Sequence, residues 1–211
     1  MELWGRETSI NVQKVMWVLA ELNLDYTRID VGGVFGGLDD KRYTDLNPHR
    51  KIPTLVDGSV VVWESNAILR YLGDAYGRDA LYGTTTAARS ASDRWMEWFQ
   101  NSVYQSFQAI FHQKVKLAIC SRDSVVLERA QDAVFEQFAV FDEQLKSKSF
   151  VNGDQLTLAD VPIGACLYRY FTMDMQRPKY RYIERYYSDL TQRSAYRDNV
   201  MISYDSLRAP D

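Results

Sequence analysis

The sequence predicts two structural units, a mixed α/β unit over residues 1–77 and an all-helical unit over residues 89–211, with a linker at 78–88 between them. Short β-like runs alternate with helical patterns throughout the first unit. The dipeptide Asp57-Gly58 separates two apolar runs and is typical of a two-residue hairpin turn. After the linker the strand patterns end and apolar residues recur at helical spacing. An α/β unit followed by an all-α unit therefore fits the whole chain.

The predicted elements of the first unit follow the order β-α-β-α-β-β-α, which indicates a mixed sheet covered by helices. They are strands at 2–4 and 25–31, helices at 12–22 and up to Leu46, strands at 54–56 and 60–63, and a helix from Ser65 to about Tyr76. The short second helix is expected to end at Leu46, because the next residue, Asn47, precedes Pro48 and a residue before proline is disfavoured in helical conformation. A glycine-rich segment at 32–37 is interpreted as a flexible turn that could lie beside a ligand.

Long helical patterns make up the second unit. Apolar residues at helical spacing predict helices at 89–116, 124–145, 180–190 and 194–203. Another helix is predicted to start near Thr157, whose side chain can cap it while Asp160 reaches back and Leu156 packs on Val161. Pro162 lies just inside this helix, where we expect it to remove one backbone hydrogen bond.

The composition argues against several classes of protein. The 211 residues carry 25 Lys plus Arg and 28 Asp plus Glu, a net charge of −3, and show no basic stripe, so nucleic acid is not an expected partner. Residues 1–7 carry charges where a signal peptide needs its apolar stretch, so no signal peptide is expected, and no apolar run reaches the roughly 20 residues of a membrane helix. We therefore expect a cytoplasmic protein with no membrane partner. Cys120 and Cys166 are too few for a disulfide framework and are expected to be buried and inert.

Several common catalytic and cofactor motifs are missing from the sequence. Only two histidines, His49 and His112, are present, which excludes HExxH and Cys-His sites, and no metal is expected. The glycine-rich segment is followed by Leu38-Asp39, where a phosphate-binding loop needs Lys and then Ser or Thr. Neither a GxGxxG nor a GxSxG motif occurs.

Two helix starts in the first unit could bind a charged ligand. Ser9 and Asn11 lie at or just before the first helix, where free backbone N–H groups and the helix dipole favour an anion. Ser65 begins a later helix, and its backbone N–H could bind a ligand carboxylate while Glu64 binds an ammonium group. In each case the alternative is that the serine or asparagine is a simple helix cap.

A third segment, Ile52-Pro53 at the start of a predicted strand, allows two interpretations. A cis peptide bond would turn the backbone N–H and C=O of Ile52 toward a peptide-like ligand, which could then pair with them as an added β-strand does. The alternative is an ordinary trans proline at the edge of the sheet.

Taken together, these motifs resemble those of the glutathione S-transferase family. The segments at 9–15, 47–55 and 64–68 match its glutathione-site motifs in order and spacing, and the segment at 156–160 matches the capping box of its second domain. The serine-type bacterial and theta-like members look closest. The resemblance implies a thioredoxin-like N-terminal domain, an all-α helical C-terminal domain, a transferase used in detoxification and, usually, a homodimer.

The resemblance also implies roles for individual residues. Ser9 would donate its hydroxyl to the glutathione sulfur and stabilise the thiolate that attacks a small hydrophobic electrophile, with Asn11 as a second candidate and Thr8 as a backup. The glutathione contacts that it implies are Lys51, Ile52, Pro53, Glu64 and Ser65. The aromatic residues expected against the electrophile are Tyr104, Phe107 and Phe111. Glutathione is then a cosubstrate, and no permanently bound cofactor is expected.

Other functions of the same fold stay open at this level. A glutathione-dependent disulfide-bond reductase, an isomerase or dehalogenase using the same thiolate, and a non-catalytic interaction module would all share it. The intact glutathione motifs argue against the interaction module. One position departs from the family pattern, since Arg50 stands where many relatives carry glycine. Its charge could strengthen carboxylate binding or favour an acidic second substrate.

Overall fold

The computed structural model describes residues 1–77 and 81–210, which form a four-stranded sheet and nine α-helices. The strands are β1 (Glu2–Trp4), β2 (Thr27–Ile29), β3 (Thr54–Asp57) and β4 (Val60–Trp63). The helices are α1 (Ile10–Glu21), α2 (Lys41–Leu46), α3 (Ser65–Tyr76), α4 (Thr86–Trp98), α5 (Tyr104–Phe111), α6 (Ser124–Gln144), α7 (Asp160–Thr172), α8 (Arg181–Thr191) and α9 (Ser194–Val200). The predicted linker falls partly on residues 78–80, which lie outside the described residues.

The first unit has the mixed sheet that the sequence predicts. The strand order is β2-β1-β3-β4, with β1 parallel to β2 and antiparallel to β3, and β3 antiparallel to β4. Asp57 pairs with Val60 across the predicted hairpin, and Gly58 takes a φ of 59°, the left-handed conformation that such turns use. The strand β2 is only three residues long, shorter than the predicted run at 25–31.

Helix α1 packs against both units. All of its residues from 12 to 19 are buried, the polar ones included. It contacts α3 of the first unit and α7 and α9 of the second, where the rings of Trp17 and Tyr196 meet edge to face with centroids 4.9 Å apart. A Cβ on Gly164 of α7 would lie 2.9 Å from the Trp17 ring, so the glycine lets α7 approach closely. The two units therefore share one continuous hydrophobic core.

The second unit is helical over its described residues, but its first long helix is interrupted. In place of one helix at 89–116, the chain begins α4 at Thr86 and passes through π-helical turns at Phe99–Val103 and His112–Lys116. The Thr85 side chain caps α4, which explains the early start. No helix among the described residues is long and apolar enough to cross a membrane.

The predicted capping box at the start of α7 forms in one direction only. Asp160 accepts the backbone N–H of Thr157 at 2.8 Å, but the Thr157 hydroxyl also donates to Asp160, at 3.1 Å, rather than capping the helix. Asp160 further accepts the N–H of Val151 at 2.9 Å and the hydroxyl of Tyr186 at 3.0 Å. Pro162 lies in the first turn, where a backbone N–H has no intrahelical acceptor, so it removes no hydrogen bond, contrary to expectation.

We expect Asp160→Asn to lower the free energy of unfolding by about 2 kcal/mol, because an amide has one acceptor oxygen where the carboxylate has two and leaves a buried donor unpaired. Urea unfolding at neutral pH, followed by circular dichroism, measures the difference. The control is Asp154→Asn in the loop that precedes α7, where the side chain is exposed. Equal unfolding midpoints for the two variants would contradict this role of Asp160.

Candidate active site

Ser9 stands at the N-terminus of α1, at the end of the loop that follows β1. It is the N-cap residue, with φ of −86° and ψ of 122°, and its backbone N–H donates to the carbonyl of Arg6 at 3.1 Å. Within the described chain its side chain makes no capping hydrogen bond. The hydroxyl of Ser9 is therefore free to donate to a ligand, and the alternative of a simple side-chain cap is not supported.

Two hydrogen bonds hold the backbone of this loop from outside. The Arg169 guanidinium of α7 donates to the carbonyl of Thr8 at 2.6 Å, and the Gln13 amide donates to the carbonyl of Glu7 at 2.9 Å. Arg169 is only 3% exposed and lies over the ring of Phe111, 4.6 Å from its centroid. The second unit thereby positions the loop that leads into α1.

Asn11 connects three elements that are distant in sequence. Its Nδ2 donates to the hydroxyl of Tyr104 at 3.0 Å, and its Oδ1 accepts from Oγ of Ser65 at 3.4 Å. Ser65 is the buried first residue of α3, where the backbone N–H lacks an intrahelical acceptor. Tyr104 is the first residue of α5. The structure thus brings three predicted site residues together, namely Asn11, Ser65 and Tyr104. Asn11, which Tyr104 contacts, belongs to one of the motifs that resemble the glutathione site.

The other residues of the predicted glutathione motifs keep distinctive backbone geometry. The Ile52-Pro53 peptide bond is cis, the first of the two interpretations. Glu64 is exposed with a φ of 69°, a left-handed conformation that is uncommon outside glycine. Lys51 exposes its side chain, while its carbonyl accepts hydrogen bonds from Tyr43 at 2.6 Å and Asn47 at 2.8 Å.

Arg50, the departure from the family pattern, takes a φ of 53°, so the turn keeps a left-handed residue although glycine is absent. Its guanidinium donates to the carboxylate of Asp39 at 2.9 Å, and both side chains are exposed. Because Arg50 already has this acidic partner, the structure favours neither of the two roles considered for its charge.

Lys14 is a fully buried lysine on α1 that the sequence patterns did not single out. Its ammonium lies 5.2 Å from the ring centroid of Phe99 and 5.1 Å from that of Tyr104, and it has no hydrogen-bond partner among residues 1–77 and 81–210. Burial lowers the pKa of Lys14 to about 8, although the charges of Cys166 and Glu64 oppose the shift. The side chain therefore places a mostly protonated ammonium next to Tyr104 at neutral pH.

A cavity of about 470 Å³ opens beside Thr8, between the two units. Its walls come from the loop before α1, the glycine-rich segment at 32–37, the end of the second π-helical turn and the C-terminal segment. The N–H of Ala209 donates to the carbonyl of Val115 at 2.9 Å and holds the C-terminal segment in place. The glycine-rich segment therefore does lie at a cavity, as its interpretation allowed.

Two expectations about side chains are corrected by the structure. Phe107 and Phe111 do not line an open electrophile site, because each is 1% exposed and packed in the core. Cys120 is exposed on a short turn rather than buried. Cys166 is buried as expected, and burial raises the pKa of its thiol far above the ordinary value, which fits an inert cysteine.

Comparisons with known proteins agree with this geometry. Residues 8–75 match the family model of the glutathione S-transferase N-terminal domain, and residues 107–194 match that of the C-terminal domain. The chain is 32% identical to glutathione S-transferase GstB of Escherichia coli K12 over 202 residues, which cover 95% of this chain and 97% of that protein. It is 30% identical to glutathione S-transferase 3 of Zea mays over 165 residues, 76% of this chain and 73% of that protein.

A solved structure gives a similar result for the fold. The theta class glutathione S-transferase of Xanthomonas axonopodis pv. citri, crystallised with glutathione bound, has a TM-score of 0.92 and 37% identity, covering 96% of this chain and 97% of that one. The fold and these comparisons therefore define a glutathione transferase, with a thioredoxin-like unit followed by a helical unit as predicted. The chain belongs to the glutathione S-transferase family.

We expect Lys14→Met to raise the free energy of unfolding at neutral pH by up to about 3 kcal/mol, because the pKa of Lys14 is about 8 in the folded chain and about 10.4 in an unfolded one. Between these two pKa values the unfolded wild-type chain binds more protons than the folded one, so the free energy of unfolding of the wild type rises with pH in that range. The variant lacks the amine and shows no such rise. The advantage of the variant should therefore shrink as the pH rises.

Urea unfolding of the wild type and of Lys14→Met from about pH 7 to about pH 10 measures this effect. Lys179→Met serves as the control, since Lys179 is exposed and its replacement should give a difference that does not depend on pH. A pH-independent difference for Lys14→Met as well would show that Lys14 is not buried as a perturbed amine.

Proposed function

We propose that the protein conjugates glutathione to small hydrophobic electrophiles by holding the glutathione thiol as its thiolate at the N-terminus of α1. The observation that carries this proposal is the free hydroxyl of Ser9 at a helix start, where backbone N–H groups and the helix dipole favour an anion. The relative from Xanthomonas axonopodis that binds glutathione supports glutathione as the cosubstrate.

The required stabilisation lies within the range of these contacts. A free thiol with a pKa near 8.5 is only a few per cent ionised at neutral pH, and lowering that pKa by about two units takes roughly 2.7 kcal/mol. A hydrogen bond to a charged group contributes about 1.5–3 kcal/mol, and a helix N-terminus typically adds about 0.3–1 kcal/mol. The hydroxyl of Ser9 together with the start of α1 is therefore enough to supply the required stabilisation.

The engagement of neighbouring side chains favours Ser9 as the donor to sulfur. The amide of Asn11 is already bonded to Tyr104 and Ser65, which fits a positioning role. Arg169 binds the carbonyl of Thr8 and not its hydroxyl, so the Thr8 side chain stays the backup donor. Ser9 itself forms no covalent bond, because the nucleophile is the sulfur that the cosubstrate brings, and the thiol proton passes to water.

The remaining motifs would recognise glutathione along its length. The backbone of Ile52, before cis Pro53, would pair with the cysteinyl residue. Glu64 and the N–H of Ser65 would bind the ammonium and carboxylate of the γ-glutamyl group, and Lys51 would bind the glycyl carboxylate. The cavity beside Thr8 would receive the electrophile. A homodimer, a cytoplasmic location, a role in detoxification and unit limits at 1–77 and 89–211 remain predictions.

We expect Ser9→Ala to reduce kcat with chlorodinitrobenzene about 30-fold, because the thiolate loses one charge-assisted hydrogen bond. The KM for glutathione should change little, since its other contacts remain. We measure kcat/KM for the electrophile at saturating glutathione. The pH at which it reaches half its maximum should move upward in the variant, toward the pKa of the free thiol. Steady-state kinetics across pH measure all three quantities.

Thr8→Val and Asn11→Ala, assayed in the same way, assign the donor. A loss of turnover confined to Thr8→Val, with Ser9→Ala fully active, would transfer the role to Thr8. A pH profile that moves only in Asn11→Ala would transfer it to Asn11. If no variant moves the profile, hydroxyl or amide stabilisation of a thiolate at this helix start is refuted.

A further inference from the structure

We propose that the cavity beside Thr8 selects a second substrate with a negatively charged group on an apolar body, such as an aromatic carboxylate. This inference rests on the proposed function, because it takes the cavity as the electrophile site. Two cations without acidic partners, Arg6 and Lys116, face the same cavity as an apolar wall, and this juxtaposition carries the inference.

The charged groups around the cavity leave a surplus of positive charge. Its two carboxylates, on Glu7 and Asp30, both pair with Arg28, the former at 3.3 Å. In the parts of the chain that the structure describes, neither Arg6 nor Lys116 forms an ion pair, and Nε of Arg6 is buried without a hydrogen-bond acceptor. The cavity therefore offers unused donors from two cations.

The cations also crowd one another. Partial burial and then the charges of Arg6 and Arg169 lower the pKa of Lys116. Because Arg6 comes from the first unit and Lys116 from the second, packing of the units brings these like charges together. An anion bound between them would relieve the repulsion and accept their hydrogen bonds.

The rest of the wall suits an apolar body and leaves room for the Arg6 guanidinium. Val34 and Phe35 are 92% and 54% exposed, and Leu207 lines the cavity with them. Gly33 has a φ of 61°, and a Cβ there would lie 3.2 Å from Nε of Arg6. A glycine at this position therefore keeps the arginine against the loop without a steric conflict.

The position of the cavity relates the anion site to the proposed chemistry. Thr8 lines the cavity and directly precedes Ser9. The two cations would also offset the repulsion between an anionic substrate and the glutathione thiolate. With an aryl chloride, the sulfur bonds to the ring carbon that carries chlorine, the C–Cl bond breaks, and chloride leaves with the electron pair.

The test compares two aryl chlorides that differ in charge, para-chloro-meta-nitrobenzoate and the corresponding uncharged benzamide. For each compound, kcat/KM is divided by the rate constant of the uncatalysed reaction with glutathione, which removes the difference in intrinsic reactivity. We expect the wild type to prefer the carboxylate about tenfold on this scale and Lys116→Gln to lose that preference. Lys114→Gln is the matched control, because Lys114 lies on the same π-helical turn but lines a different depression.

A wild-type ratio of carboxylate to benzamide near one, or a preference for the carboxylate that survives in Lys116→Gln, would overturn the inference. Turnover of the benzamide would in that case leave the proposed function standing. If none of the three aryl chlorides is turned over, chlorodinitrobenzene included, the proposed function and the inference fail together. The KM for glutathione in Lys116→Gln should equal that of the wild type. A rise in this KM would assign the cation to glutathione and also overturn the inference.

Discussion

The hydrogen bond from Arg169 to the carbonyl of Thr8 is the contact on which the arrangement of the site depends. Burial lowers the pKa of Arg169 to about 10, which still leaves the guanidinium charged at neutral pH. A shift of the loop that broke this bond while Arg169 stayed buried would leave the charge without that acceptor, which costs on the order of several kcal/mol. The loop that ends at Ser9 and the helical unit therefore keep one relative position, and the start of α1 is held without using the Ser9 hydroxyl.

In the function proposed above, the two units contribute different parts of one anion-binding region. The first unit supplies a helix start and the glutathione motifs, while the second supplies the Arg169 guanidinium, the Tyr104 hydroxyl that Asn11 contacts, and Lys116 at the cavity. Positive charge is concentrated here in a chain whose net charge is −3. The buried ammonium of Lys14 lies against the ring of Tyr104, beside this region. Its desolvation lowers the stability of the folded chain, a cost of the kind that functional sites often carry.

Local sequence patterns predicted most of the fold and the motif residues of the site. The hairpin at Asp57-Gly58 and the limits of α3 depend on neighbouring residues and were confirmed. Arg169 was missed because its acceptor lies 161 positions away, and an isolated charge in an apolar helix carries no indication of its partner. Phe107 and Phe111 were expected against the electrophile but lie in the core, because an apolar stripe has the same spacing whether it faces a core or a ligand. The π-helical turns were not predicted, because the buried apolar residues through them, Phe99, Val103, Phe107, Phe111 and Val115, still recur every four residues as in an α-helix.

The pKa of the glutathione thiol in the complex is the quantity that tests this arrangement most directly. Thiolate absorbance in the ultraviolet, titrated across pH with free glutathione as the reference, gives that pKa once calorimetry has established saturation of the site. A site built around the free Ser9 hydroxyl and the start of α1 should ionise the bound thiol about two units below its free pKa of about 8.5. A saturated site in which the thiol still titrates at the free value would contradict thiolate stabilisation by these residues.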